Sequence, residues 1–524
     1  MAGEIVLSPH PDVTIPDVAL HDFVLEGAMG RADQAALIDG PSGRTLTFGQ
    51  LAGGVRRVAA GLADRGFVKG DVFAIFSPNL PEYALAFYGV SAAGGVNTTI
   101  SPLYTADELT RQLTDANARF LLTVPPFLDK ALEAAGRSGV EEVFVLGESE
   151  GASPFASLLA AGDTPPAVDI DPASDLVALP YSSGTTGISK GVMLTHRNLV
   201  ANLCQGAPTL LADEGERLIA VLPFFHIYGL VVLMASALSR GSTLVTMPRF
   251  DLEQFLALLQ DQRITRAYVA PPIVLALAKH PLVDKYDLSA LKSVFSGAAP
   301  LDASLEQACT DRLGCEVMQG WGLTETSPVV TTNFNTPRGP QPGSVGVPLP
   351  NTEMRVVDPA TGADVSRGET GELLVRGPQV MRGYLNAPEA TAAMLDPDGW
   401  LHTGDLGMVD EQGYVFIVDR VKELIKYKGL QVAPAELEAV LLSHPKVADA
   451  AVVRFPDEEA GEVPKAFVVA RDPVDPGELM AYVAERVAPH KKIRQVEFVD
   501  EIPKAASGKI LRRLLMDRDR QAAG

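Results

Sequence analysis

The rhythm of apolar and polar positions changes twice along the chain. In the first third, short unbroken apolar runs alternate with stretches of helical period. DVFAIF (71–76) reads as a buried strand, Ser77-Pro78-Asn79 interrupts it, and a helix is predicted from near Pro81. TADE (105–108) has capping-box spacing, so a helix starts there and leads to the strand FLLTV (120–124). Asp251 is placed to cap a helix with Leu252, Phe255, Leu256 and Leu259 on one face; the strand AYVAP and another helix follow. This alternation predicts parallel sheets covered by helices.

From about residue 335 the texture shifts to short strands with Gly/Pro turns: TEMRVVD, GELLVRG and GYVFIVD. Past Asp419 comes a shorter α+β pattern, with a helix from Pro434, strands AAVV and AFVVA, a helix near 477–487, then VEFV. The predicted fold class is α/β. A large N-terminal body (1–419) of parallel α/β subdomains carries a small β-barrel-like part, and a small C-terminal α+β domain (420–524) follows. The apolar segment Leu218–Leu238 is long enough to span a bilayer. Pro223, His226 and Gly229 break its middle and Arg217 and Arg240 flank it, so a buried strand, a loop and a buried helix are expected instead.

Composition narrows the partners. The chain has 524 residues, 47% of them hydrophobic, which suits two or more domains with sizeable cores. A formal charge of −21 argues against nucleic acid or an anionic membrane surface as partner. Any anionic ligand must therefore meet a local basic cluster. Three cysteines, Cys204, Cys309 and Cys315, show no zinc-ligand spacing and suit a reducing compartment. The first residues carry no basic region or apolar core of a secretory leader, and the last, QAAG, are not a peroxisomal tripeptide, so a cytoplasmic protein is expected.

The stretch YSSGTTGISKGV (181–192) raises the chemistry. Small residues and a lysine between apolar segments can converge N–H groups, hydroxyls and charge on phosphate. Walker A fails at two positions, Ser189 and Gly191. Gly187-Ile188-Ser189-Lys190-Gly191 also spells the hydrolase nucleophile elbow, but the residues before Ser189 make a poor strand. A plain polar connector is the bland reading. Further on, Arg420, Lys422, Lys426 and Lys428 all bear even numbers, so an extended chain would set them on one side as a basic ribbon.

Five more clusters follow in order: PFFHIYG (223–229), SGAAPL (296–301), QGWGLTE (319–325), WLHTGD (400–405) with VDRVKELIKYKGLQVAPAELE (418–438), and PKAASGKILR (503–512). Together they make the chain resemble the acyl-adenylate-forming superfamily of AMP-binding enzymes, and within it the 4-coumarate–CoA ligase and acyl-CoA synthetase branch. The resemblance covers about residues 20–515. It implies an ATP-dependent acid–thiol ligase in which a carboxylate attacks the α-phosphate of ATP, and the thiol of coenzyme A then displaces AMP. It also implies a C-terminal domain that rotates between the two steps.

By the same resemblance, Ser182, Ser183, Gly184, Thr185, Thr186 and Lys190 cradle the phosphates of ATP. Gly297, Ala298, Gln319, Gly320, Trp321, Gly322 and Thr324 surround the nucleotide, with Trp321 stacking on adenine where relatives often have tyrosine. Asp405 takes the ribose with Arg420, Lys422 touches the nucleotide, and Glu325 is the Mg²⁺ ligand. Lys509 serves adenylation, Lys426 touches the nucleotide or serves the thioester step, Gln431 is another active-site position, and Arg249, Lys428 and Gly429 meet CoA. His226 gates the acyl pocket, which Tyr228, Gly297, Gly322, Pro328 and Val329 line.

The implied partners are a small carboxylic acid, ATP and CoA, with no carrier-protein domain expected. A 4-coumarate-like aryl acid is favoured. Phe295, where several plant ligases carry a polar or basic residue, keeps medium- and long-chain fatty acids open. PFFHIYG lacks the aspartate that amino-acid-activating relatives keep, so an α-amino acid would bury an unpaired charge. A serine hydrolase acting through Ser189, a non-catalytic nucleotide-binding homologue and a luciferase-type oxygenase are the remaining alternatives.

Overall fold

The structure is a computed structural model that describes residues 5–160, 162–182, 189–209, 212–428, 430–457, 460–505 and 508–522. Among these residues the strands form four sheets. Val72–Phe76 lies in the middle of the first, paired in parallel with Val96–Ile100 and Ala118–Thr123. All five residues of Val72–Phe76 are buried, as expected for a strand covered on both faces. The second sheet runs in parallel through Glu316–Gly322, Ser293–Ser296, Arg266–Val269, Arg217–Ala220, Thr243–Thr246 and Ala35–Asp39.

Local signals in the sequence explain where these elements start. Thr105 accepts the Glu108 N–H and the Glu108 side chain accepts the Thr105 N–H, so the predicted capping box is formed. Asp251 caps Leu252–Asp261, which buries Phe255, Leu256, Leu258 and Leu259. The apolar stretch 218–238 folds as expected into a strand (Arg217–Ala220), a loop and a buried helical stretch. The first part of that stretch, Tyr228–Ala235, is π-helical. No helix among the described residues is long and apolar enough to cross a membrane.

The β-barrel-like part is an antiparallel sheet of Val6–Leu7, Glu353–Val357, Gly371–Arg376, Leu401–Val409 and Val415–Arg420. After Arg420 the chain turns into a small α+β unit. Its sheet contains Ile425–Tyr427, Leu430–Val432, Val447–Asp457, Gly461–Ala470 and Gln495–Phe498. Helices Pro434–Leu442 and Pro476–Ala484 cover it, burying Leu437, Leu441, Leu479 and Val483. Leu406 of the body packs with Leu424 and Ala433 of the small unit, so a separate apolar cluster joins the two.

The basic ribbon does not form. Arg420 ends a body strand opposite Asp405, and residues 421–423 turn. Lys426 sits in a hairpin, and Lys428 adopts the left-handed conformation (φ 48°) at its tip. A turn followed by a hairpin breaks the two-residue alternation that the ribbon required.

Candidate active site

Tyr181–Ser182 pairs with the start of Lys190–Thr195, placing Ser182 opposite Lys190 across the two ends of the glycine-rich loop. Ser183, Gly184, Thr185 and Thr186 lie outside the described residues. Ser182 Oγ donates to Glu325 Oε1 at 2.9 Å, and the Tyr384 hydroxyl donates to the same oxygen at 2.7 Å. Lys190 Nζ stands 5.7 Å from the centre of the Tyr384 ring. Glu325 is only 7% exposed, on the short turn Thr324–Thr326, with Thr324 half-buried beside it. Two hydroxyl donors on one oxygen orient this carboxylate. Tyr384 was not singled out in the sequence. It enters because Gly383–Tyr384 adds a short strand beside Val192 and Met193.

Ser189 comes immediately before the strand Lys190–Thr195, which then feeds the helix His196–Gly206. A nucleophile elbow needs its serine after a strand and before a helix. The geometry therefore excludes the hydrolase reading of Ser189.

A second group gathers around the strand Glu316–Gly322. Gly320 and Gly322 are dictated by close approach. A Cβ on Gly320 would lie 2.5 Å from Phe295 Cζ and 2.7 Å from Thr331 O, and one on Gly322 only 1.9 Å from Pro328 O. The Gln319 amide is already committed, donating to Leu301 O and to Glu306 Oε2. Its side chain thus ties the end of SGAAPL to the helix Ala303–Leu313. Gly297 follows the strand Ser293–Ser296, and a Cβ there would meet the Tyr228 ring at 2.9 Å. Ala298 holds the left-handed conformation (φ 72°) at the bend.

Trp321 and Asp405 meet directly. The indole Nε1–H donates to Asp405 Oδ2 at 2.8 Å, and Arg420 Nε lies 3.0 Å from Oδ1. That ion pair is close but out of line, and Oδ1 accepts no hydrogen bond among the described residues. Asp405 is 4% exposed, and burial pushes its carboxyl above the usual range against the pull of Arg420 and the Trp321 hydrogen bond.

Lys509 comes from the small unit into the same neighbourhood. Burial lowers its ammonium pKa, the Arg420 charge lowers it further, and Glu423 and Asp405 oppose the shift. The adjoining Gly508 packs on the body, where an added Cβ would lie 3.3 Å from Ala270 Cβ and Pro272 Cδ. A network that the sequence did not reveal holds this region. Arg512 pairs with both Glu438 oxygens at 2.7 and 2.8 Å and with Glu423.

The remaining sequence candidates lie apart from this convergence. Lys426 is exposed, its N–H donating to Glu462, and its strand partner is Gln431. Lys428 is exposed, with its N–H on Ala460 O. Gly429 lies outside the described residues. Lys422 is exposed in the turn, and Arg249 is exposed on the segment after Thr243–Thr246.

Of the residues expected to line the acyl pocket, Tyr228 donates to Phe295 O at 3.3 Å. Val329 is buried, its N–H held by Asn202, beside a cis Ser327–Pro328 bond. Half-buried His226 packs 4.4 Å from the Phe225 ring, and burial takes its pKa down to about 4, so it is neutral at physiological pH.

Known proteins share this fold and much of this sequence. Residues 25–385 match the family model for AMP-binding enzymes, and residues 436–509 match the model for the C-terminal domain of AMP-binding enzymes. The chain is 46% identical to 4-coumarate–CoA ligase 5 of Oryza sativa subsp. japonica, covering 98% of this chain and 97% of that one. It is 43% identical to 4-coumarate–CoA ligase of Pinus taeda, over 97% and 96% of the two chains. Among solved structures, an anthranilate CoA ligase, AuaEII, in complex with anthranoyl-AMP superposes with a TM-score of 0.89. The identity is 28%, covering 97% and 98% of the two chains. ATP-bound MatB of Rhodopseudomonas palustris gives 0.88 at 30% identity, over 96% and 99%. The chain belongs to the AMP-binding enzymes, the acyl-adenylate-forming superfamily.

Proposed function

We infer that the protein is an AMP-forming acid–thiol ligase acting on an aryl or cinnamic acid of the 4-coumarate class. In the first step a carboxylate oxygen bonds to the α-phosphorus of ATP and the bond to the pyrophosphate breaks. In the second, the CoA sulfur bonds to the acyl carbon, AMP leaves with the bonding electron pair, and the thiol proton is released. Both steps need charge stabilisation more than a protein nucleophile. The observation that carries the reading is the convergence of Glu325, the Trp321–Asp405–Arg420 group and Lys509 from three separate parts of the fold.

In this reading Ser182, Lys190 and the loop between them hold the phosphates, Thr324 meets the α-phosphate, and Asp405 with Arg420 takes the ribose. Lys509 offsets charge between the attacking carboxylate and phosphate. Mg²⁺ fits Glu325, a hard carboxylate whose Oε1 is already oriented; phosphate oxygens and water would complete the shell. Bound there, the ion would neutralise phosphate charge. Lys426, Gln431, Lys428, Gly429 and Arg249 belong to the thioester step, which the small domain would reach by rotating about Asp419–Arg420. His226, held neutral, separates the acyl pocket from the CoA path. A cytoplasmic setting agrees with the cysteine usage.

The aryl acid is supported by the names of the relatives and by the close approach of the Tyr228 ring to Gly297, where an added Cβ would lie 2.9 Å from the ring. Phe295 favours a second reading, a fatty acid, because this buried ring packed near Tyr268 offers no polar side chain to a ring hydroxyl. Comparing kcat/KM for cinnamate, 4-coumarate, octanoate and palmitate decides between them. A tenfold advantage for either fatty acid, about 1.4 kcal/mol in the transition state, would overturn the aryl assignment.

A further inference from the structure

Asp405 is a buried carboxylate whose two oxygens are treated differently. Oδ2 takes the Trp321 indole N–H at 2.8 Å, while Oδ1 lies 3.0 Å from Arg420 Nε yet accepts no aligned hydrogen bond among the described residues. The terminal torsion of an aspartate is soft and two-fold. Left alone beside a guanidinium, the carboxylate would swing to meet it with both oxygens, the geometry such pairs prefer. The indole hydrogen bond opposes that swing. It comes from Glu316–Gly322, a strand of a different sheet from Leu401–Val409, which carries Asp405. The carboxylate is therefore fixed by an element independent of its own backbone.

We propose that Trp321 is a positioning residue for the nucleotide ribose. Its N–H, distinct from its aromatic face, holds Asp405 so that Oδ1 receives a ribose hydroxyl. A buried, charged acceptor without a donor is costly, and a hydroxyl supplies the donor. This inference rests on the reading that Asp405 takes the ribose. It assigns to the tryptophan a role that a ring without an N–H cannot fill.

Trp321→Phe keeps an aromatic face and removes only the indole donor and its fused ring. Pyrophosphate release by the whole enzyme is measured with ATP, 2′-deoxyATP and 3′-deoxyATP, for wild type, Trp321→Phe and Asp405→Ala. The expected result is a roughly tenfold rise in KM for ATP in Trp321→Phe with kcat nearly unchanged, the size of one lost charge-assisted contact. KM for the deoxy analogue that wild type discriminates against should barely move, so the ATP preference shrinks by the same factor. An equal rise for ATP and both analogues, or no rise at all, overturns the proposal, because a stacking or purely structural role treats the nucleotides alike. An Asp405→Ala enzyme that keeps the full ATP preference overturns instead the underlying ribose assignment.

Should Trp321→Phe fail to fold, the indole itself reports. The only other tryptophan, Trp400, is buried and lies against Arg355 and Arg376. In Trp400→Phe protein labelled with ¹⁵N-tryptophan, AMP should move the single indole N–H resonance further than one of 2′-deoxyAMP and 3′-deoxyAMP does. Equal shifts with all three nucleotides overturn the proposal.

Discussion

Asp419, on the last strand of the body, accepts the backbone N–H of Ala435 at 2.9 Å, in the first turn of the small domain's helix Pro434–Leu442. Its other oxygen accepts the N–H of Arg420. One buried carboxylate thus ties the end of the body strand to a helix N-terminus across the joint, where a negative charge is favoured. Rotation of the small domain about this joint would have to break that hydrogen bond.

Asp419→Ala should therefore loosen the docked arrangement by about 1 kcal/mol, the usual value of a helix cap. Adenylate formation, which in the proposed mechanism uses Lys509, is expected to fall several-fold relative to thioester formation from supplied acyl-adenylate. Asp419→Asn, which keeps an acceptor, should recover most of the loss. Equal loss in both half-reactions would count against a role in docking.

Lys509→Ala is expected to reduce adenylate formation by roughly a hundredfold or more, the scale of a missing preorganised charge. The same enzyme should still convert acyl-adenylate and CoA to thioester. Gly429→Trp should do the reverse, since a bulky side chain would obstruct the pantetheine. Stopped-flow assays of each half-reaction separate the cases, and loss of the same step in both variants would sink the two-orientation mechanism.

Tyr384→Phe removes one of the two hydroxyls on Glu325 Oε1 while keeping the ring near Lys190. Adenylation should slow by about tenfold, as for a hydrogen bond to a charged group. The Mg²⁺ concentration for half-maximal rate should rise, and an unchanged Mg²⁺ dependence would show that Tyr384 does not orient this carboxylate.

Glu306 offers a test by pH. Burial pushes its carboxyl from 4.5 up to about 7, although Gly343 N–H and the Gln319 amide both donate to it. Between those values the folded chain keeps a proton that the unfolded chain has released. Stability therefore falls as pH rises from about 4.5 to 7, then levels. Glu306→Gln should flatten that slope in urea titrations at pH 5, 6 and 7, and a slope identical to wild type would exclude Glu306 as its source.

The capping boxes at Thr105 and Thr47 and the helix at Asp251 form from local chemistry, so the Thr105 box was legible as TADE and the helix as an aspartate before an apolar face. The motif residues were legible because they recur in fixed order. What joins them was not. Trp321 and Asp405 are 84 positions apart, Arg512 and Glu438 are 74, and Tyr384 reaches Glu325 across 59. No periodicity encodes such pairs. The basic ribbon failed for a related reason: even spacing signals one face only while the chain stays extended, and Lys428 at φ 48° marks where it does not.

Arg420 belongs to two systems at once. It is the residue opposite Asp405 in the body sheet and the last before the turn into the small domain. A ligand that tightens the Asp405–Arg420 pair would therefore act on the proposed pivot Asp419–Arg420 itself, with no further residue between. By thermodynamic reciprocity, whatever preference nucleotide imposes on the orientation of the small domain, that orientation imposes equally on nucleotide affinity. Release of AMP and resetting of the proposed rotation would then become one coupled equilibrium, so the enzyme would need no separate sensor to know when AMP has gone.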